Sequence, residues 1–496
     1  MYTIMEKDAA KKESSANEQG AVEVYSVGSI LHQEQDLFTG DAGAANFRGL
    51  SWQAAAVLIA KLQIGLGALS LPHTFHVLGF FPGILCFLII SLISTMAGYL
   101  CGNARQYYPQ MHSIGDAAEL LFGLPGRELI GGVYYMYLAM VAGAGMLTTS
   151  VALNALSDHG ACTMVFVAVT CVAALVIGAA FRGLDKVAWI SWVGVACIFA
   201  AIWTTSIACL TQNRPASGPA TGPINLNIRV IPDATFSEAM TAVSNQLFAV
   251  GASGTFFSVS AEMKCPEQFT RALIWGQSFI VLTCLVISTI VYAKIGQYLA
   301  SPALGSAGLL IKKVSYGIAM PGLVVTAVLY SHIAAKYWFV RILRGTKHLQ
   351  SNTVKHWTVW IGSMVVTAIF GFVVVGVVPF FGDFLSLVGA LVNPVFTNVL
   401  PGFMLLFFIA RKPAKAHETS HTQREEMTTG NHWLYDSCFA YKNGWKDAML
   451  WVGAYFMIIT GAFIIAAGTY STVLSIKTTY DEGLVGGVFS CSDNSL

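Results

Sequence analysis

The chain has 496 residues, of which 55% are hydrophobic and 11% are charged, and its mean hydropathy is +0.62. Because a soluble domain carries about a quarter charged residues, most of this chain must face lipid or other membrane helices. The net charge is only +2 and no basic run of useful length is present, so no nucleic-acid partner is expected. The composition predicts an all-α integral membrane protein.

Residues 1–50 are polar and mixed in charge, and they lack the apolar core of a cleavable signal peptide. We expect them to form a cytosolic tail, so that the first span directs insertion. Most of the ten cysteines, such as Cys86, Cys171 and Cys284, lie inside apolar runs. There they are expected to pack as small residues, and no disulfide framework is predicted.

Eleven stretches approach the roughly 20 apolar residues that a membrane-crossing helix needs. These predicted spans, one to eleven, are 51–75, 77–100, 129–153, 161–181, 187–210, 237–262, 271–296, 317–342, 356–379, 383–409 and 446–470. Spans nine and ten are separated only by a tight hairpin, Pro379-Phe380-Phe381-Gly382.

The charges of the loops predict the orientation of these spans. If the N-terminus is cytosolic, 20 of the 28 lysines and arginines fall on the cytosolic side and 6 on the other, with Lys61 and Lys336 inside spans. Cytosolic loops should hold this excess. We therefore expect an extracytosolic loop at 211–236, a cytosolic loop at 410–445 and an extracytosolic tail at 471–496.

Two spans carry glycines where a membrane helix should be most regular. Span one contains Gly65 and Gly67, with Pro72 just beyond them, and span six contains Gly251 and Gly254. A broken helix is tolerated in hydrocarbon only where its freed backbone groups meet protein, water or ligand. Paired interrupted spans in two halves of a chain point to a transporter's binding site. The alternative is that these glycines merely allow close helix packing.

The interrupted spans are the first and the sixth, so each opens a unit of five. Because five is odd, the second unit must be inserted upside down, and this predicts inverted repeats at 51–210 and 237–409. Helix ends at the breaks would offer amides to a carboxylate and carbonyls to a cation, as a free amino acid requires. The predicted substrate-binding residues are Ile64, Gly65, Leu66, Gly67, Ala68, Met140, Phe248, Val250, Gly251, Ala252, Ser253 and Gly254.

Several motifs resemble those of the amino acid/auxin permease family, the transmembrane amino acid transporters, and within it the fungal neutral amino acid permeases of the N system type. They are Gly65–Pro72 in span one, Glu262–Phe269 after span six, Pro379 followed by Leu385–Ala390, and Pro401. The resemblance covers residues 48 to 470. It implies eleven spans in a five-plus-five inverted repeat like that of the leucine transporter, and import of amino acids with an ion.

The resemblance also bears on the side chains around the breaks. In the related fold span three lines the substrate pocket, which favours Met140. The side chains of Tyr134, Tyr135 and Tyr137 lie near the predicted inner end of that span, where interfacial anchoring is the expected role. Because the surroundings of the breaks are mainly apolar, a neutral amino acid is the predicted substrate.

Charged groups inside spans are costly and are usually functional. Lys61 lies about 15 Å into span one at helical rise, and many sodium-coupled relatives carry Asn near this position. A fixed ammonium there favours proton coupling over sodium coupling. In the related fold span eight borders this site, so Ser331, His332 and Lys336 are grouped with Lys61 as candidate coupling residues. For Lys336, snorkelling to the interface is an alternative.

No cofactor or metal is expected, because no cysteine or acidic partner completes a ligand set with His417 and His421. No cluster typical of an intramembrane enzyme is visible either. The sequence predicts a proton-coupled importer of neutral amino acids in the plasma membrane, working by alternating access. A vacuolar amino acid exporter of the same topology and an amino acid sensor with little flux remain alternatives.

Overall fold

The computed structural model describes residues 49–108, 111, 113–181, 183–219, 221–344, 346, 348–349, 351–378, 380–417, 432–482 and 487–495. Residues 1–48, Pro379 and His421, together with the side chain of His417, lie outside this part of the chain. The described residues are almost entirely helical. Among them, an isolated parallel β-bridge pairs Leu50 with Met263.

Among the described residues, nine helices are long and apolar enough to cross a membrane: Phe80–Tyr107, Ile114–Ser157, Thr163–Ala180, Val187–Thr211, Pro266–Tyr298, Leu309–Leu343, Val354–Val377, Phe381–Ala410 and Trp445–Asp481. A tenth crossing is the pair Trp52–Ile64 and Gly67–Leu78, bent by 48°. The remaining predicted span, span six, is two short helices, Phe236–Val250 and Phe256–Ala261, separated by the 3-10 turn Ala252–Thr255. The all-α membrane architecture is therefore confirmed.

Spans three and eleven are longer than predicted. The helical stretch that contains span three begins at Ile114 with a capping box at Ser113, but Gly123 (φ 72°, ψ −165°) divides it into a short helix and the membrane helix that follows. The expected start at 129 is therefore a few residues late. Arg127 and Glu128, just before that position, are paired: Arg127 bonds Glu119, and Glu128 bonds Arg341. The expected end of span eleven at 470 is wrong. Its helix continues as Thr469–Asp481, which packs on spans six and ten.

The helix packing has the symmetry of an inverted repeat. Span one packs against span five, and span six packs against span ten. Span four packs against span eight, as span nine does against span three. Likewise span one packs against span seven, and span six against span two. These contacts of the first five-helix unit are therefore matched by contacts of the second, as expected of a repeated unit.

Burial separates central from peripheral helices. In the most apolar stretch of span three 89% of the residues are buried, and in that of span eight 78%, against 28% for span four and 22% for span eleven. Large apolar side chains such as Leu92, Val176 and Trp189 are exposed on the outer surface of the bundle. Such a belt is what lipid tails would cover.

The helix ends define two faces. We call the face at which span one begins the N-terminal face, and it carries Leu50, Glu262 and Leu343. The opposite face, which we call the C-terminal face, carries Leu78, Asp158 and residues 487–495. On the C-terminal face a disulfide joins Cys162 to Cys491, so the expectation that the chain contains no disulfide is wrong. The two cysteines lie 329 residues apart, one at the start of predicted span four and one in the C-terminal tail, and no spacing pattern reveals such a pair. The bridge ties the last residues of the chain to the start of span four.

Candidate substrate and ion site

Span one is interrupted as predicted, but not through the dihedral angles of its glycines. Gly65 keeps helical angles (φ −65°, ψ −40°), and Leu66 is the residue that departs from them (φ −122°). The glycines are required for close approach. A Cβ on Gly67 would lie 2.3 Å from the Cα of Ala249, and one on Gly65 would lie 2.4 Å from Thr326 Oγ1. The two interrupted spans therefore touch backbone to backbone.

Span six is interrupted at Gly251, whose angles (φ −92°, ψ 35°) end the helix that begins at Phe236. The carbonyl groups freed here are bonded by side chains of other spans. Ser94 donates to the Val250 carbonyl, and Asn393 donates to that of Leu247 at 3.0 Å. The Gly251 carbonyl accepts from Tyr137 at 3.4 Å and from Thr397 at 3.5 Å. These bonds are what a break in hydrocarbon requires.

The predicted substrate-binding residues of both breaks are buried next to each other. The hydroxyl group of Ser253, however, is engaged by span ten: it donates to the Phe396 carbonyl at 3.0 Å and lies 3.2 Å from Thr397 Oγ1. Met140 is buried in span three, with 5% of its surface exposed. The breaks therefore offer backbone groups and apolar surface, with the Ser253 hydroxyl already bonded.

Tyrosines near the breaks were assigned the wrong role by sequence reasoning. Tyr134 and Tyr137 were expected as interfacial anchors, but they are only 1% and 3% exposed. The helix that follows the Gly123 kink begins earlier than predicted and ends at Ser157, so Tyr137 lies roughly three and a half turns inside it and not near its end. Span eight supplies a matching group, because Tyr330 donates to the Leu62 carbonyl at 2.6 Å. One tyrosine hydroxyl thus bonds each interrupted span.

Lys61 is fully buried beside the break of span one. Its Nζ donates to Thr326 Oγ1 of span eight at 2.5 Å. A Cβ on Gly65 would lie 3.0 Å from this Nζ, and one on Gly194 of span five 2.8 Å from Lys61 Cε. The ammonium group therefore sits among spans one, five and eight, away from lipid.

The other candidate coupling residues are not brought to Lys61. Lys336 lies ten residues beyond Thr326, about 15 Å along the helix, and its Nζ is 2.5 Å from Glu262 Oε1. His332 faces spans four and nine, with Nδ1 3.3 Å from the Gly178 carbonyl oxygen and its ring against Trp360. The buried Ser331 hydroxyl has no hydrogen-bond partner among the described residues. The structure thus separates this group of four.

The N-terminal face is closed over the breaks. Leu50 donates its amide to the Glu262 carbonyl at 3.0 Å and accepts from the Lys264 amide at 2.9 Å. The Glu262–Lys336 ion pair joins span six to span eight. The guanidinium of Arg271 lies 4.1 Å from the ring of Trp52. The start of span one is therefore tied to the end of span six.

The C-terminal face is open by comparison. A cavity of about 640 Å³ extends inward from the tail residues 490–494 to Ser70 and Asn245. Ser70 lies one turn beyond Gly67, and Asn245 lies fewer than two turns before Gly251. The breaks are therefore approached from the C-terminal face.

Interrupted helices that meet at the centre of a repeated bundle define a secondary transporter. MhsT in complex with L-phenylalanine shares this fold, with 11% identity and a TM-score of 0.51 over 84% of this chain and 98% of that one. Mhp1, a nucleobase-cation-symport-1 family transporter in a closed conformation with bromovinylhydantoin bound, does so with 12% identity and a TM-score of 0.52 over 92% and 99%. The fold is the leucine-transporter-like one.

A family model described as "Transmembrane amino acid transporter protein" matches residues 48–428, so the chain belongs to this family and is a transporter, not an enzyme. A "Transmembrane transporter" of Gibberella moniliformis is 30% identical over 93% of this chain and 92% of that protein. An "N amino acid transport system protein" of Neurospora crassa is 27% identical over 94% and 92%. The resemblance predicted from the motifs is confirmed.

The contact between Gly67 and Ala249 gives a first prediction. Gly67→Ala should slow transport at least about tenfold, because overpacking by one methyl costs ~1–3 kcal/mol and here pushes the two interrupted spans apart. Initial uptake rates in proteoliposomes measure this. Gly362→Ala is the matched control, since its Cβ would meet nothing within 4 Å. Equal rates for both variants would show that the transport cycle does not need this contact.

The Glu262–Lys336 pair gives a second prediction. Glu262→Gln should loosen the N-terminal face, because it removes the charge that ties span six to span eight. Labelling of a cysteine introduced at Ser258, which lines a small cavity of about 130 Å³ beside this pair, should then become at least several-fold faster, because removing one partner of a buried ion pair leaves the Lys336 ammonium group uncompensated.

The exposed Glu267 in the following loop provides the control: Glu267→Gln should leave labelling unchanged. Exchanging the charges by Glu262→Lys with Lys336→Glu should bring labelling back towards the original rate. Unchanged labelling in a correctly inserted Glu262→Gln variant would contradict a gating role for the pair.

Proposed function

We propose that the protein imports neutral amino acids across the plasma membrane, coupled to protons, by alternating access. The observation that carries this proposal is the meeting of two interrupted helices whose freed carbonyl groups are bonded only by neutral donors of neighbouring spans. An amino acid brings one ammonium and one carboxylate, and the helix ends offer a partner for each.

The side chains near the breaks favour a neutral substrate. Phe248 and Met140 are apolar, and the rings of Tyr137 and Phe396 lie 5.6 Å apart. Among the described residues, the charged side chain beside the breaks is that of Lys61. Its ammonium group is already hydrogen-bonded to Thr326. A cationic substrate side chain would find no opposite charge here and would lose its hydration, and an anionic one would have to compete with Thr326 for the Lys61 ammonium group. The N amino acid transport system protein of Neurospora crassa supports an amino acid as the substrate.

Lys61 supports proton coupling. An ammonium group fixed beside the break of span one repels sodium and supplies a positive charge of its own. Because Lys61 is buried and bonded to a neutral hydroxyl, release of its proton would not leave an unpaired carboxylate behind. We therefore propose Lys61 as the proton carrier, with Thr326 as its hydrogen-bond partner. Lys336 is assigned instead to the ion pair with Glu262 that helps to close the N-terminal face.

The distribution of charge and the disulfide support a cytosolic N-terminal face. Most basic residues belong to the loops of that face. The Cys162–Cys491 bridge belongs to the other face, and disulfides persist in oxidising compartments. In a plasma membrane the large cavity would then open to the outside, as an importer requires. In a vacuolar membrane the same topology would serve an exporter.

Uptake of a panel of labelled amino acids in proteoliposomes tests the function. We expect uptake of neutral amino acids to be driven by an inward proton gradient and not by a sodium gradient. Lys61→Asn should remove the response to the proton gradient, because the titratable group is gone. Lys294→Asn, which removes an exposed lysine of the C-terminal face, should leave that response intact.

Two results would count against these proposals. Sodium-driven uptake by the unmodified protein would exclude proton coupling. An unaltered pH profile in the Lys61→Asn variant would show that Lys61 is not the proton carrier.

The orientation gives a separate prediction. In intact cells, a membrane-impermeant maleimide added after mild reduction should label Cys162 and Cys491. The free, exposed Cys265 and Cys438 belong to the N-terminal face and should react only after permeabilisation. A Cys162→Ser, Cys491→Ser variant is the control, since it should lose the label of intact cells. Labelling of Cys265 in intact cells would reverse the topology, and no labelling of either pair would favour an internal membrane.

A further inference from the structure

Residues 487–495 form an irregular segment that crosses the C-terminal face, and we call it the tail. The disulfide joins Cys491 of the tail to Cys162, which immediately precedes the helix of span four. The first residue of that helix, Thr163, donates to the Ser492 carbonyl at 2.6 Å. The start of span four therefore holds the tail through a covalent bond and a hydrogen bond.

Three further helices also bond the tail. In span three, the side-chain amide of Asn154 donates to Asn494 Oδ1 at 2.8 Å. In span eight, Lys312 donates to a tail carbonyl at 2.5 Å. In span nine, the Gly376 carbonyl accepts from the backbone amide of Phe489 at 2.8 Å. Within the described part of the chain, the hydrogen bonds from the tail to other helices thus go to spans three, four, eight and nine.

These four spans form one packing unit, because each of them packs against the other three. We call them the scaffold group. Spans one and six, with spans two and seven packed around them, form a second group, which contains both breaks. Alternating access moves one such group against the other. Since the tail is bonded to the scaffold group, we expect it to move with that group.

The tail also forms part of the wall of the large cavity on this face. Ser490, Ser492, Asp493 and Asn494 line the cavity. The second half of span one and the first half of span six contribute other parts of the same wall. The cavity therefore lies between the tail and the two half-helices that have to move when this face closes.

We propose that the tail is the surface against which the C-terminal face closes, and that the disulfide keeps the tail in place for this step. The inference concerns the transport cycle whatever the substrate is, and so it goes beyond the proposed function. Val488 and Phe489 are 55% and 46% exposed, which leaves the tail few apolar contacts. Such segments open locally at low cost. The disulfide restricts that opening by tying the segment to span four.

A purely structural role would be that of a cap for span nine, whose last carbonyl groups lack partners within the helix. The ring of Phe489 does pack there, so closely that Gly376 has no room for a side chain. A cap of one helix, however, needs neither bonds to three other helices nor a place in the cavity wall. Loss of a cap would lower stability without changing the balance between the two open states.

Reversible reduction of the reconstituted protein tests the proposal on one set of molecules. Cys491 is exposed, so dithiothreitol can reach the bridge. It transfers two electrons and two protons, which gives two protein thiols and its own cyclic disulfide. We expect the initial rate of leucine uptake to fall about three- to tenfold with the KM unchanged, as for a contact made only while the face closes. Reoxidation with glutathione disulfide should restore the rate. The Cys162→Ser, Cys491→Ser variant should start at the low rate and not respond.

A second measurement needs no substrate. If the C-terminal face closes less completely, the N-terminal face opens less often, because the two faces open alternately. Labelling of Ser258→Cys in the purified protein should therefore be several-fold slower in the Cys162→Ser, Cys491→Ser variant than with the disulfide intact. The exposed Cys265 and Cys438 are replaced by serine in both proteins. The same proteins without the cysteine at 258 give the background.

Two tail variants keep the disulfide and serve for comparison. Phe489→Ala removes the ring that packs against span nine. It should slow both leucine uptake and the labelling at position 258. Val488→Ala changes the neighbouring exposed side chain and should alter neither rate.

The outcomes separate this inference from the proposed function. If the unmodified protein takes up no leucine, that result counts against the proposed function, and the labelling decides the role of the tail. The tail proposal is overturned if reduction leaves the uptake rate unchanged, or lowers it equally in the double-serine variant. It is overturned as well if labelling at position 258 is equally fast with and without the disulfide. Should the double-serine variant fail to insert, reduction of the folded protein and Phe489→Ala decide.

Discussion

A helix that is interrupted inside a membrane has to find a partner for every peptide group it frees, because hydrocarbon supplies none. Here the partners are hydroxyl groups of the surrounding helices. Tyr330 bonds the Leu62 carbonyl, Ser94 bonds that of Val250, and Tyr137 bonds that of Gly251. The need to bring these groups to the breaks fixes where spans two, three and eight can lie. The central helices are therefore arranged around two short pieces of irregular backbone.

The two faces of the bundle differ in how firmly the interrupted spans are held. At the N-terminal face the ends of spans one and six are bonded backbone to backbone, and an ion pair adds span eight. At the C-terminal face the same two spans diverge around a large cavity. The Gly67–Ala249 contact lies between these regions. In the proposed alternating-access cycle, the two spans move about this contact, because the two backbones are too close to admit a side chain that could change its conformation.

The sequence predicted the paired interruptions and the inverted repeat, because glycine content and span counting depend only on local composition. It failed where tertiary contacts decide. Span three was predicted too short, because Arg127 and Glu128 look like a boundary although ion pairs with Glu119 and Arg341 neutralise them. That error placed Tyr137 nearer the end of its helix than it lies. The bond between Lys336 and Glu262, and the pairing of Cys162 with Cys491, join residues 74 and 329 positions apart. No local pattern encodes such contacts.

The position of Lys61 links the proposed proton carrier to the break itself. Lys61 precedes Gly65 by one helical turn, and both residues contact Thr326. A charged ammonium strengthens its bond to the hydroxyl and holds the first half of span one against span eight. In the proposed mechanism, loss of the proton weakens this bond and frees that half-helix from span eight. Near its end at Ile64, the same half-helix is bonded by Tyr330 at the Leu62 carbonyl. In this proposal, proton release and rearrangement of the substrate site would thus act on one short rigid element, and that shared element would couple them.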